Sequence, residues 1–255
     1  MGSLPSRMTF IILAIVGVWA GIQNALAGGG SFVTLPALIL TGLDARAANI
    51  ASTIALFPAQ VTTGWVGRQN VSGVGGLRFR TLVAISLVGG ACGAGLLLLT
   101  PSSFFARMVP WLVLFATALF AYGSFFRKPA ANDQPRVGPR AAAPCQLYIA
   151  IYGGYFGGGI GFLMLAALTA AGLAVRAAGA TKNVLAGVMN AAAVGIFLFT
   201  PGIPWLQVAV LCSGAVVGGY LGAQMLKKVD ERLIRGFVVI LGLALTVGLF
   251  LRQGS

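Results

Sequence analysis

Side chains able to do polar chemistry are scarce in this sequence of 255 residues, and they gather beside two runs of glycine. The first run is Gly28, Gly29 and Gly30, followed by Ser31. The second is Gly157, Gly158, Gly159 and Gly161. Downstream of the first come Asn49, Thr53 and Gln60; downstream of the second come Thr181, Lys182, Asn183 and Asn190. Asn183 and Asn190 are seven apart, which places them on one face of a helix, and Asn49, Thr53 and Gln60 repeat the pattern. Arg46 and Arg176 stand just ahead of the two polar sets. These groups supply hydrogen-bond donors and positive charge. The four acids, Asp44, Asp133, Asp230 and Glu231, all fall in or beside expected loops, and there is no histidine. That combination suits binding of a small anion. It offers no metal-ligand set, no carboxylate proton relay inside a membrane span, and no cofactor motif, so neither metal nor cofactor is expected.

The glycine runs matter because of what surrounds them. Three consecutive glycines cost about 3 kcal/mol of helix propensity relative to alanine, so each run breaks an otherwise apolar helical stretch. A broken helix in a membrane exposes backbone N–H groups, tolerated only inside protein or against a water-filled cavity. A half-helix starting at Ser31 or Gly161 would aim its positive dipole end at that cavity and attract an anion. Each residue also has a purely structural reading. The glycines would let helices approach closely, and the amides would act as interhelical glue. Lys182 would snorkel to the interface. Arg46 and Arg176 would either guide the anion or anchor the helix ends at the interface. A nucleotide-binding loop is unsupported, because no strand precedes the glycines and no Lys-Ser/Thr follows.

The elements that must position these residues are membrane helices. The chain is 58% hydrophobic and 8% charged, against about 25% charged in an ordinary soluble domain. Long uncharged runs recur at 8–41, 47–67, 81–106, 108–126, 145–175, 183–226 and 236–251. Several exceed the roughly 20 residues needed to cross a bilayer core. The runs are continuously apolar rather than alternating, which argues against a β-barrel. The fold class expected is an all-α polytopic membrane protein. The stretch 8–27 ends in Ala25-Leu-Ala27, which mimics a signal-peptide cleavage site, but its counterpart later in the chain argues for a retained span. The net charge of +13 is read as topology signalling rather than nucleic-acid binding. Cys92, Cys145 and Cys212 have no Cys-x-x-Cys spacing and read as apolar packing residues.

The second half repeats the first. Gly42-Leu-Asp-Ala-Arg46-Ala-Ala48 matches Gly172-Leu-Ala-Val-Arg176-Ala-Ala178 at an offset of 130, which also superposes Gln60 on Asn190 and Thr53 on Asn183. Near an offset of 129, Gly89-Gly90-x-x-Gly93 matches Gly218-Gly219-x-x-Gly222. The expected division is a first membrane repeat over 1–126, a basic cytoplasmic linker over 127–144 and a second repeat over 145–255. The basic loops 68–80, 127–144 and 227–232 should face the cytoplasm, and the uncharged turns 100–103 and 200–204 the opposite side. That assignment gives the halves opposite topology. Each half would hold a glycine-broken helical pair, re-entrant or fully spanning, plus three transmembrane helices, about 8–10 membrane segments in all. Inverted repeats of this kind typify secondary transporters, with the site near the midplane.

The glycine break followed by Pro36, the two Gly-Leu-x-x-Arg-Ala-Ala segments, Ala180-Thr-Lys-Asn183 and the Gly-Gly-Tyr-Leu-Gly-Ala-Gln stretch from Gly218 resemble the TauE/SafE family of sulfite and organosulfonate exporters. The resemblance extends over nearly the whole chain. It implies a multi-pass permease of the bacterial inner membrane, moving sulfite, sulfoacetate or a related sulfur-containing or carboxylate anion. The expected partners are that small anion and the lipid bilayer, with no nucleic acid; the oligomeric state is left open, a homodimer included. The function expected is a secondary anion carrier working by alternating access. The alternatives are an anion channel and a non-transporting membrane scaffold or assembly subunit. An enzyme would need a nucleophile, a metal set or a redox pair, which the chain does not offer.

Overall fold

The computed structural model describes residues 6–26, 29–122, 138–225 and 231–253. They form ten α-helices: α1 (Ser6–Leu26), α2 (Ser31–Leu40), α3 (Ala45–Gly67), α4 (Phe79–Leu99), α5 (Ser102–Ala121), α6 (Pro139–Tyr155), α7 (Ile160–Ala170), α8 (Val175–Phe197), α9 (Trp205–Met225) and α10 (Glu231–Gln253). Among the described residues there is no strand beyond an isolated bridge between Val74 and Leu77. The polytopic all-α membrane class follows. Five stretches are long and apolar enough to cross a bilayer: 7–25, 79–99, 102–119, 177–197 and 205–222. The helix α3 has the length, at 23 residues, but carries the polar set from Asn49 to Gln60. The pieces flanking the glycine breaks, α2 and α7, have only 10 and 11 residues. At about 1.5 Å per residue neither spans a bilayer alone.

Local sequence explains the helix ends. Asp44 caps α3 by accepting hydrogen bonds from the backbone N–H groups of Arg46 and Ala47. Helix α6 begins at Pro139, a residue suited to the first helical position, and so starts inside the stretch read as linker. The remainder of that stretch, 127–137, and residues 227–230 of the last basic loop lie outside the described residues.

Close packing then follows from small residues. Helix α1 runs parallel to α9, with Gly17 against Leu211 and Gly214, and Gly21 against Ala215 and Gly219. Helix α4 runs parallel to α6, with Gly89 against Ala150 and Gly93 against Ile151 and Gly154. A methyl group on Gly218 would come within 1.9 Å of the Val18 carbonyl oxygen, and one on Gly93 within 2.1 Å of that of Ile151. Only glycine permits those distances. Helices α3 and α8 cross antiparallel, since Gln60 meets Asn190 while Gly64 lies against Asn183 and Val184. The core divides into one cluster built from α1, α2, α3, α5, α9 and the C-terminal ends of α4 and α8 around Phe32, Leu35, Phe105 and Phe197, and another from α6, α7, the start of α4 and the rest of α8 around Met164, Leu185 and Met189. Cys92 and Cys145 are exposed on the helix exteriors and Cys212 is half-buried; all three are free thiols. The packing role read from sequence therefore applies to Cys212 alone, because the apolar exterior of a membrane helix accepts a thiol as readily as the core does.

Candidate functional site

The two glycine breaks meet. The ring of Phe32, in the first turn of α2, packs beside Gly29 of its own break and lies 3.4 Å from where a side chain on Gly159 would begin. Gly29, Gly157 and Gly159 have positive φ of 80°, 76° and 73°, the left-handed conformation glycine adopts without strain. Helix α2 starts at Ser31 and α7 at Ile160, the latter with no side-chain cap. Their first N–H groups therefore lie at the junction of the two breaks.

Amide side chains stitch the breaks in place. Gln23, in the last turns of α1, donates from Nε2 to the Gly29 carbonyl at 3.0 Å. Asn24 accepts at Oδ1 from the Gly30 N–H at 2.8 Å. The second break is held from across the molecule, where Asn49 of α3 donates from Nδ2 to the Tyr155 carbonyl at the end of α6, at 3.1 Å. A buried carbonyl released by a broken helix needs such a partner.

Between the breaks is a cavity of about 50 Å³ lined by Asn24, Gly29, Ser31, Gln60, Thr63, Gly157, Ile160, Gly161, Lys182, Asn183 and Ala186. A water needs about 10–15 Å³ of such space, so the cavity holds a few waters or one small polyatomic ion. Among the described residues that line it, none is an acid and Lys182 is the cation. It lies seven residues past the start of α8 and is half-buried. A larger open recess of about 590 Å³ lies over the 72–76 loop and the α7–α8 corner, but Ser72 is the polar side chain lining it.

The structure thus brings Gly29, Ser31, Gln60, Gly157, Gly161, Lys182 and Asn183 together, as the sequence suggested. Other expected residues are placed behind the wall. Asn190 donates to the side chain of Gln60, 130 residues away in sequence. Thr53 donates to the Asn49 carbonyl within α3. Thr181 is buried and accepts from the Ser72 N–H at 3.0 Å, turned away from Lys182. Asn49 holds a break rather than lining the cavity, and Gly30, Gly158 and Gly159 shape the junction behind it. Arg46 donates to the Leu98 and Thr100 carbonyls at the end of α4, 3.2 and 3.0 Å away, so it satisfies a helix C-terminus outside the cavity. Gly28 and the Arg176 side chain lie outside the described residues. Two polar lining residues, Asn24 and Thr63, escaped the sequence reading. Their signal was present: the adjacent amides Gln23 and Asn24 close an apolar helix just before its glycine break.

The comparisons fit this arrangement. The family described as "Sulfite exporter TauE/SafE" matches residues 13–249. The chain belongs to the TauE/SafE family. A "Probable membrane transporter protein" of Haemophilus influenzae is 30% identical over 249 residues, covering 95% of each chain. "Probable membrane transporter protein ORF9" of a Sinorhizobium species is 29% identical over 90% of this chain and 88% of its own. "Probable membrane transporter protein YfcA" of Escherichia coli K12 is 24% identical over 96% of this chain and 91% of its own. Membership of TauE/SafE, with five spans and a buried polar cavity, makes this a multi-pass membrane protein with a transport role.

Proposed function

We propose that this TauE/SafE protein is a secondary carrier exporting a small anion, sulfite or an organosulfonate such as sulfoacetate, across the bacterial inner membrane. The observation that carries the reading is the cavity between the two glycine breaks, which holds Lys182 and amide donors and is lined by no carboxylate. An anion gains there from the lysine, from the amides and from the helix starts at Ser31 and Ile160. A cation would meet only like charge. The family is one of sulfite exporters by description, which favours the same substrate class.

Inverted repeats suit this mechanism. Their support is the packing: α1 with α9 mirrors α6 with α4, and Gly90 against Met189 mirrors Gly219 against Ala59, at offsets of 129 and 130. The equivalent helices α3 and α8 run antiparallel through the Gln60–Asn190 pair, as a two-fold axis in the membrane plane requires. Rocking of one half against the other about that pair would expose the cavity alternately. With no acid lining the cavity, transport down the membrane potential is the simplest coupling. An inside-negative potential drives an anion outward by about 2.3 kcal/mol per charge per 100 mV. The deciding experiment is a thermal-shift screen of the purified protein against sulfite, sulfoacetate, sulfolactate and small carboxylates, followed by flux in proteoliposomes. Stabilisation by these anions and saturable, potential-dependent efflux with counterflow are expected. Stabilisation by cations alone overturns the anion reading, and flux without saturation or counterflow makes the protein a channel.

A further inference from the structure

Two of the three amides lining the cavity, Asn24 and Gln60, are held by hydrogen bonds within the protein. Asn24 commits its carbonyl oxygen to the Gly30 N–H, and its Nδ2 is buried with no partner among the described residues. Gln60 commits its carbonyl oxygen to the NH2 group of Asn190, which leaves Nε2 for the cavity. The Gly30 N–H can only donate, so it fixes the orientation of Asn24, whereas Gln60 takes its orientation from its pairing with a second amide, Asn190. Thr63 points its hydroxyl hydrogen at the Ala59 carbonyl, 2.8 Å away. The Asn24 side of the cavity has no counterpart in the second half. The positions equivalent to Gln23 and Asn24 are Gly153 and Gly154, whose missing side chains would collide with Met189 and with the Gly90 carbonyl oxygen.

We infer that Asn24 and Gln60 are specificity-determining residues whose NH2 groups bind two oxygens of the anion, so that the cavity selects a fully deprotonated oxyanion over ligands that must donate a hydrogen bond. The inference rests on the anion reading above and adds to it which groups discriminate. A site with polar groups committed in this way rejects a mismatched ligand strongly, because a donor facing a donor leaves both unpaired. Asn24 also makes the site one-sided, which fixes the orientation of an asymmetric anion such as a sulfonate.

The test uses Asn24→Asp and Gln60→Glu in the full-length protein. Each keeps the oxygen needed by Gly30 or Asn190 and replaces the inward NH2 with oxygen, nearly without change of shape. The probes are sulfite and sulfoacetate, read by calorimetry or ligand-induced thermal shift, with melting of the ligand-free protein measured alongside. Expected is at least tenfold weaker binding of both anions by each variant, with ligand-free melting close to that of the wild type. Binding of sulfoacetate by Asn24→Asp should recover as the pH is lowered, because a protonated carboxyl regains a donor; a merely structural role for Asn24 would not produce that recovery. If Asn24→Asp does not fold, Gln60→Glu carries the test. If the wild type binds the anions and the variants bind them equally well, the inference is overturned while the anion reading stands. If the wild type binds no anion, the anion reading falls and takes the inference with it.

Discussion

Replacing Lys182 by methionine should weaken anion binding and stabilise the empty protein, two effects of opposite sign from one substitution. Methionine is close to lysine in length and unbranched, so the cavity wall keeps its shape. Among the described lining residues Lys182 supplies the only charge, so the substitution takes the wall from +1 to neutral. A hydrogen bond to a charged group contributes about 1.5–3 kcal/mol. A loss of about 2 kcal/mol corresponds to roughly 30-fold weaker binding at 1.4 kcal/mol per tenfold. The stability term runs the other way. Lys182 lies four residues from the midpoint of α8, residue 186 of 175–197, or about 6 Å along the axis. A lysine at the centre of a span costs about 2.5–3.5 kcal/mol. The cavity and the flexible stem relieve part of this, leaving on the order of 1 kcal/mol to be regained, or about 2–4 °C in melting temperature for a chain of this size. The assay is melting of purified wild type and Lys182→Met with and without sulfite, together with calorimetric titration. Lys182→Arg, which keeps the charge, should bind more tightly than Lys182→Met. Sulfite affinity of Lys182→Met within twofold of wild type, or ligand-free melting several degrees lower, would refute the reasoning.

Gly218→Ala should cost about 1–3 kcal/mol, because the methyl group would have to force the Val18 backbone away and part α1 from α9; denaturant unfolding in detergent reads it. Asn49→Ala should cost about 1–3 kcal/mol by leaving the Tyr155 carbonyl unpaired, and should weaken anion binding as the second break relaxes; melting and titration on one preparation check both. Burial alone would raise the Asp44 carboxyl pKa, but the Ser102 hydroxyl and the N–H groups of Ala47 and Arg46 outweigh it and hold the group below its ordinary value. Its stabilising contribution is therefore complete above the unfolded carboxyl pKa of about 3.9 and is lost as pH falls through the lower folded value. Accordingly, Asp44→Ala should melt below wild type by a constant margin from pH 5 to pH 8, with the margin closing at lower pH. A margin that widens on acidification would contradict that assignment.

Much of this protein was legible in its sequence because the deciding physics is local. Continuous apolar runs with little charge dictate membrane helices, since lipid leaves the backbone no other partner. Runs of glycine dictate the breaks, whereas the start of α6 at Pro139, inside the stretch read as linker, came only with the structure. The recurrence of these signals at offsets near 130 is the sequence's support for a two-half layout. The membership of the cavity wall was another matter. Thr181, Lys182 and Asn183 are consecutive, and neighbours on a helix point about 100° apart, so spacing alone could not say which of them faces the cavity. The rotation of α8 against the 72–74 loop decides it, turning Thr181 to Ser72 and leaving Lys182 and Asn183 inside. For Arg46 the sequence leaves open a guide for the anion or an anchor at a helix end, and the fold supplies its partners by placing the end of α4 within its reach. Asn24, in the tail of an apolar helix, gains its place because the chain folds back so that Gly30 meets it six residues later. Composition and breaks determine that such a protein has membrane helices interrupted at two polar places. Which donors face the cavity there depends on helix rotation and on partners distant in sequence, and only the packed structure supplies those.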